Sequence, residues 1–152
     1  LLLMMLPPVK GLAGQDRYPA APADGAFLDD LSQRAFRFFW EQTDPSTGLT
    51  RDRARVDGSP QPPHLRNVSD IAACGFALTA RAAGVERGWV KPEEARGRAL
   101  ATLRFFAERA EHQRGWFYHW LDAAAGKRIW RSEISSIDTA LLLGGLAYRR
   151  RR

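Results

Sequence analysis

The tripeptide Arg-Phe-Phe occurs twice, at 37–39 and 104–106, at an offset of 67 residues. The same offset carries Gly48 onto Gly115. An offset of 66 carries Ile71 of SDIAACGFAL (69–78) onto Ile137 of SSIDTALLLG (135–144). Each unit therefore reads alike: a long helix bearing Phe, a turn with glycine, a short extended excursion, and a small-residue helix entered through serine. Self-similarity at a fixed period marks a repeated supersecondary unit. Here that unit is a helical hairpin, present about twice.

The elements follow from local chemistry. A first helix is expected from Asp24 or Gly25, with Asp24 as N-cap accepting from free first-turn N–H groups. Its apolar face would be Phe27, Leu28, Leu31, Ala35, Phe38 and Phe39. It must end before Asp44-Pro45, because proline disfavours helix at the preceding residue. Three of the nine prolines fall in 56–65, which reads as loop. A second helix is expected over about Ser69–Ala83, with Ile71, Gly75, Leu78 and Ala82 inward and Gly84 closing it in left-handed geometry. A third starts at Pro92, with Glu93 and Glu94 in its positive first turn and a stripe of Leu100, Leu103, Phe106 and Ala110. A fourth runs from about Ser136 through Tyr148. Helices one and three carry bulky Phe; two and four carry Ala and Gly, which permit close approach. That division suits an all-α toroid of helical pairs with an outer and an inner layer.

Composition removes several function classes. The apolar fraction of 45% and charged fraction of 26% are ordinary for a globular protein. Of the net charge of +6, four units come from Arg149–Arg152, and the other arginines are interleaved with acids and apolar residues. That is not a nucleic-acid-binding face. The single cysteine, Cys74, lies in an apolar run and reads as a buried, inert thiol. Residues 1–23 read as a Pro-, Ala- and Gly-rich leader. Its LLLMML start is too short to span a bilayer, and is either a signal-peptide remnant, implying a periplasmic or secreted protein, or a frayed start.

The chemistry-bearing residues gather at 115–138. Trp116, Tyr118 and Trp120 alternate in GWFYHWLD, so an extended segment would put them on one face and Phe117, His119 and Leu121 on the other. Aromatic faces stack on sugars; equally, one of the two faces must pack on the helices. Asp138 sits near a helix start, where Ser135-x-x-Asp138 also fits a capping box. It is either a cap alone or a group facing a cleft. Glu133 precedes it in a loop, either solvated or facing the same cleft. His119 is either a structural histidine or a substrate contact. Asp52 and Arg53 occupy the matching loop of the first unit, either as a surface ion pair or as hydroxyl-binding groups.

GLTRDR (48–53), SDIAACGFAL (69–78), GWFYHWLD (115–122) and SEISSIDTALLLGG (132–145) together resemble the bacterial glucoamylase-like (α/α)6-barrel glycoside hydrolases, which include endo-β-1,2-glucanases and domains of cyclic β-1,2-glucan synthases. The likeness covers about residues 27–146. It departs at NVSDIA, where Ser-Ser-Ile-Ala is expected, and in stopping after two hairpins. The resemblance implies that residues 24–152 are the N-terminal portion of such a barrel. It also implies a glucan in a cavity at one end of the inner helices, and hydrolysis with inversion without cofactor or metal. Asp138 and Glu133 are then the candidate catalytic carboxyls, and Trp116, Tyr118, His119, Trp120, Asp52 and Arg53 the candidate substrate contacts. A carboxylate at the positive end of a helix suits a base or hydroxyl acceptor better than an acid, and no residue stands out as proton donor. The alternative is a non-catalytic helical-hairpin module that binds saccharide or protein, its two hairpins a complete unit.

Overall fold

The computed structural model describes residues 22–147. In chain order these form α1 (Pro22–Glu41), β1 (Val68–Asp70), α2 (Ile71–Glu86), α3 (Pro92–Glu108), β2 (His112–Gln113), β3 (Trp116–Phe117), β4 (Trp120–Asp122) and α4 (Ser136–Ala147). Residues 1–21 of the expected leader, and Tyr148 of the expected fourth helix, lie outside the described residues, whereas Pro22 and Ala23 open α1. No helix among the described residues is long and apolar enough to cross a membrane.

The helical hairpin is repeated, down to its hydrogen bonds. Gly48 and Gly115 both hold positive φ, 71° and 85°. After each, the chain extends and pairs back on the segment entering the next helix. In the first unit Arg51 bridges Ser69, and Asp52 N–H donates to the Val68 carbonyl at 3.0 Å. In the second Tyr118 bridges Ile134, and His119 N–H donates to the Glu133 carbonyl at 3.0 Å.

The two excursions also join each other. β1 pairs antiparallel with β4, in the register Val68↔Asp122, Ser69↔Leu121 and Asp70↔Trp120. Leu49, Ile71, Cys74, Leu121 and Leu142, drawn from both units, form one core with Phe105 and Phe106. Each large aliphatic side chain buried there contributes about 1.5–3 kcal/mol.

The small-residue helices α2 and α4 lie against each other with little space between them. A Cβ on Gly145 would lie 2.1 Å from the Gly75 carbonyl oxygen, and one on Gly75 would lie 2.4 Å from the Leu141 oxygen. The inner layer is thus the Ala/Gly pair, as its composition predicts, and α1 and α3 pack on α2 from outside. A buried arginine ties the layers: Arg81 donates from Nη1 to Thr102 Oγ1 (3.0 Å) and from Nη2 to Thr43 Oγ1 (3.3 Å). Burial lowers its pKa to about 10.

Several boundaries and faces differ from the sequence reading. α1 begins at Pro22, so Asp24 lies within its first turn and is not its cap. Its buried residue is Phe36; Phe27, Leu28, Leu31 and Ala35 are exposed. α2 begins two residues later than expected, because Ser69 and Asp70 belong to β1. Its buried face runs through Cys74, Ala77, Arg81 and Gly84, with Leu78 and Ala82 only half-buried. Gly84 does not end the helix. It is a contact point, where a Cβ would lie 2.4 Å from the Phe36 ring, and Gly88 supplies the positive φ instead. On α3 the buried set is Ala95, Thr102, Phe105 and Phe106, while Leu100 and Leu103 are exposed.

Candidate active site at the mouth of the inner helices

The N-termini of α2 and α4 lie together, and the acids of the site are there because helix starts attract them. Asp70 is the N-cap of α2: its Oδ1 accepts from the N–H groups of Ala72 (2.7 Å) and Ala73 (3.4 Å). Such a cap satisfies donors the helix leaves free. At α4 the capping box forms by half. Asp138 N–H donates to Ser135 Oγ at 3.1 Å, but Ser135 N–H donates to the Phe117 carbonyl instead. The Asp138 carboxylate is therefore released from capping and turns to His119.

His119 is held from both units. Its carbonyl accepts from Ile71 N–H at the start of α2 (3.3 Å), and its N–H donates to the Glu133 carbonyl. The ring stacks on Trp120, with centroids 3.9 Å apart at 17°. Its Nδ1 lies 2.9 Å from Glu133 Oε1 and 3.6 Å from Asp138 Oδ2. The first is a hydrogen bond; the second is a charge contact too long to be one.

Electrostatics separate the acids. Burial pushes the Asp70 carboxyl above its usual value; the Ala72 and Ala73 N–H groups oppose this and the Asp138 charge adds to it. Glu133 is pulled down, first by a bond to its own backbone N–H and then by His119. So a proton is held more readily at Asp70 than at Glu133. Asp70, His119 and Asp138 present ligand-type atoms within 4.8 Å of one another, and among the described residues these could hold a cation. Asp70 already spends one oxygen on capping, and Nδ1 of His119 is engaged by Glu133.

The structure thus brings together Asp138, Glu133, His119 and Trp120 from the sequence candidates. Tyr118 packs against the core, with the Arg128 guanidinium 4.6 Å over its ring. Trp116 is half-exposed on β3, where it pairs with Gln113. Asp52 and Arg53 form an ion pair with each other. The expected two-faced alternation over 116–121 fails, because β3 ends at Phe117 and β4 starts at Trp120, and the break lets His119 stack on its own neighbour. Sequence reasoning missed Asp70. The available signal was an Asp directly before an apolar helix, the commonest cap pattern. Reading Ser69 as helical hid it.

Two helical hairpins, with small-residue helices inside and an acid–imidazole cluster where their N-termini meet, define part of an (α/α) toroid with a polar mouth. No family profile matches the chain. The chain is 31% identical over 106 residues to an exo β-1,2-glucooligosaccharide sophorohydrolase of Parabacteroides distasonis, covering 70% of this chain and 14% of that protein. Among solved structures it is similar to a glucoamylase-like protein of Bacteroides caccae (33% identity, TM-score 0.71, covering 81% of this chain and 30% of that one). It is also similar to the endo-β-1,2-glucanase of Chitinophaga pinensis, solved with sophorotriose and glucose (29% identity, TM-score 0.71, covering 84% and 31%). In sequence and in fold the chain corresponds to a portion of the glucoamylase-like (α/α)6-barrel proteins. It spans less than a third of the length of these relatives.

Proposed function

We propose that this chain forms one sector of the cleft of a glycoside hydrolase that cuts β-1,2-glucan. The observation that carries the reading is His119, whose Nδ1 draws Glu133 and Asp138 to one point beside Asp70. The similarity to a sophorohydrolase and to an endo-β-1,2-glucanase supplies the substrate class.

The geometry assigns work within that reading. Glu133 Oε1 and Asp138 Oδ2 both contact one nitrogen, so they are at most 6.5 Å apart, the sum of the two distances. An inverting pair stands about 6.5–9.5 Å apart, with water and the sugar between. Here an imidazole fills the space between. The two acids therefore act on one side of the scissile bond, as a single buffered unit that positions a hydroxyl or a water. On this reading the opposed carboxyl belongs to another part of the barrel. Asp70 adds to that same side a partly buried carboxyl whose pKa is raised by burial.

The rival reading, a complete two-hairpin module, is disfavoured by the apolar residues that α1 and α4 expose, among them Phe27, Leu31, Ile137 and Leu143. A closed barrel would bury such faces against neighbouring hairpins. The test is release of reducing ends from β-1,2-glucan, against β-1,3- and β-1,4-glucans, by a barrel protein carrying this sector. Activity on none of them, with Asp138→Asn and Glu133→Gln indistinguishable from the parent, overturns the proposal.

A further inference from the structure

Trp130 and Arg131 are consecutive non-glycine residues with φ of 52° and 55°. A bulky residue in the left-handed region is an outlier, and it persists only where its surroundings over-determine it. They do so here. Ile129 N–H donates to the Trp120 carbonyl (3.3 Å), Ser132 N–H to the Ile129 carbonyl (3.0 Å) and Arg128 Nη2 to the Arg131 carbonyl (2.5 Å). The strained backbone does not serve to bury the indole, which is 50% exposed. The ring instead meets Trp120 edge to face, with centroids 5.5 Å apart at 71°.

Beside it is a cavity of about 350 Å³ between the two excursions, lined by His64, Asn67, Val68, Asp122 and Trp130 among others. That volume falls at the lower end of small-ligand sites. The cavity lies at the Val68↔Asp122 end of the β1–β4 ladder. The other end of the ladder is Asp70↔Trp120, at the acid cluster. Trp120 touches both His119 and Trp130, so three rings run from the cluster to the cavity. A half-exposed indole beside an amide, an imidazole and a carboxylate matches a pyranose, which offers C–H groups on one face and hydroxyls at its edge.

We propose that Trp130, with His64, Asn67 and Asp122, forms a saccharide subsite adjoining the acid cluster, in which the indole stacks on one sugar ring of the bound glucan. This rests on the glucan reading above and adds a position to it.

The test uses the full 152-residue chain, ¹⁵N-labelled, titrated with β-1,2-glucooligosaccharides and, as a control, cello-oligosaccharides. The five tryptophans give five indole N–H signals, and Trp130→Phe identifies that of Trp130. The expected result is a shift of that signal with the β-1,2-linked series. Trp130→Ala should weaken binding about ten-fold, with Trp130→Phe restoring most of it. If Trp130→Ala loses its helical dichroism, Asn67→Ala replaces it, with the same loss of affinity expected. Movement of the Trp120 and His119 signals without Trp130, or unchanged affinity in the folded variant, overturns the subsite and leaves the glucan reading standing. No movement of any signal with any saccharide overturns the subsite as well.

Discussion

Asp138 Oδ2 stands 3.6 Å from His119 Nδ1, although the residues belong to different elements, the first turn of α4 and the break between β3 and β4. The contact exists because Ser135 N–H bonds to Phe117 and leaves the Asp138 carboxylate free. In a barrel that hydrolyses glucan, Asp138→Asn should lower kcat by about 10²–10⁴-fold, the range for a group engaged in proton transfer. His119→Gln should lower it less and alter the pH profile, since it removes the bridge to Glu133 while leaving both acids. Steady-state kinetics across pH distinguishes the two.

Asp70→Asn should have an unusual signature in stability. The folded chain holds the Asp70 proton more tightly than the unfolded chain, where the value is near 3.8. The stability this contributes is present below that pH and is lost as pH rises through the raised folded value. Asn caps as well as Asp and does not ionise. The melting temperature of Asp70→Asn relative to the parent should therefore rise with pH across that window and then level off. Asp70→Ala, which loses the cap, should be destabilised by about 1 kcal/mol. Thermal melts at a series of pH values decide the matter.

The two repeat glycines should differ in tolerance. At Gly48 an added Cβ would lie 2.3 Å from the Thr102 backbone nitrogen, on top of the φ of 71°; at Gly115 nothing lies within 4 Å. Gly115→Ala should cost about 1 kcal/mol, from φ alone. Gly48→Ala should cost about 3 kcal/mol or more, as overpacking adds to strain. Denaturant midpoints measure both.

Polar substitution on the open face of α4 should improve behaviour in solution at little cost. Ile137 and Leu143 are 72% and 53% exposed. Ile137→Lys with Leu143→Lys should change stability by less than about 0.5 kcal/mol each. Self-association, followed by light scattering, should fall, because contiguous apolar patches drive it.

The repeat was the legible part of the sequence. Arg-Phe-Phe, Gly48 with Gly115 and the serine-led helices fix where each hairpin turns, and the Ala and Gly content of α2 and α4 fixes which pair lies inside. What did not read correctly was any face decided by a neighbour. Periodicity marks Leu100 and Leu103 as core, yet Thr102 is buried because its hydroxyl donates to the Gly48 carbonyl (2.8 Å) and accepts from Arg81. Phe36 rather than Ala35 is buried because Gly84 leaves room for a ring, a fit between distant positions that no local pattern shows. At the site, Glu133, Asp138 and His119 stood out as candidates because they gather at a helix start within a stretch that resembles the glycoside hydrolases. Asp70 did not, because its part depends on β1 meeting β4 across the duplication.

The β1–β4 ladder has a consequence for how this chain can change. Because side chains alternate along a strand, deleting one residue between Gly58 and Asn67 and drawing β1 along by one step would swing Asp70 to the opposite side. The prolines there would tolerate added length far better than a shift in phase. Each duplicate thus sets the phase of the other, and what began as two copies can now drift only as a couple.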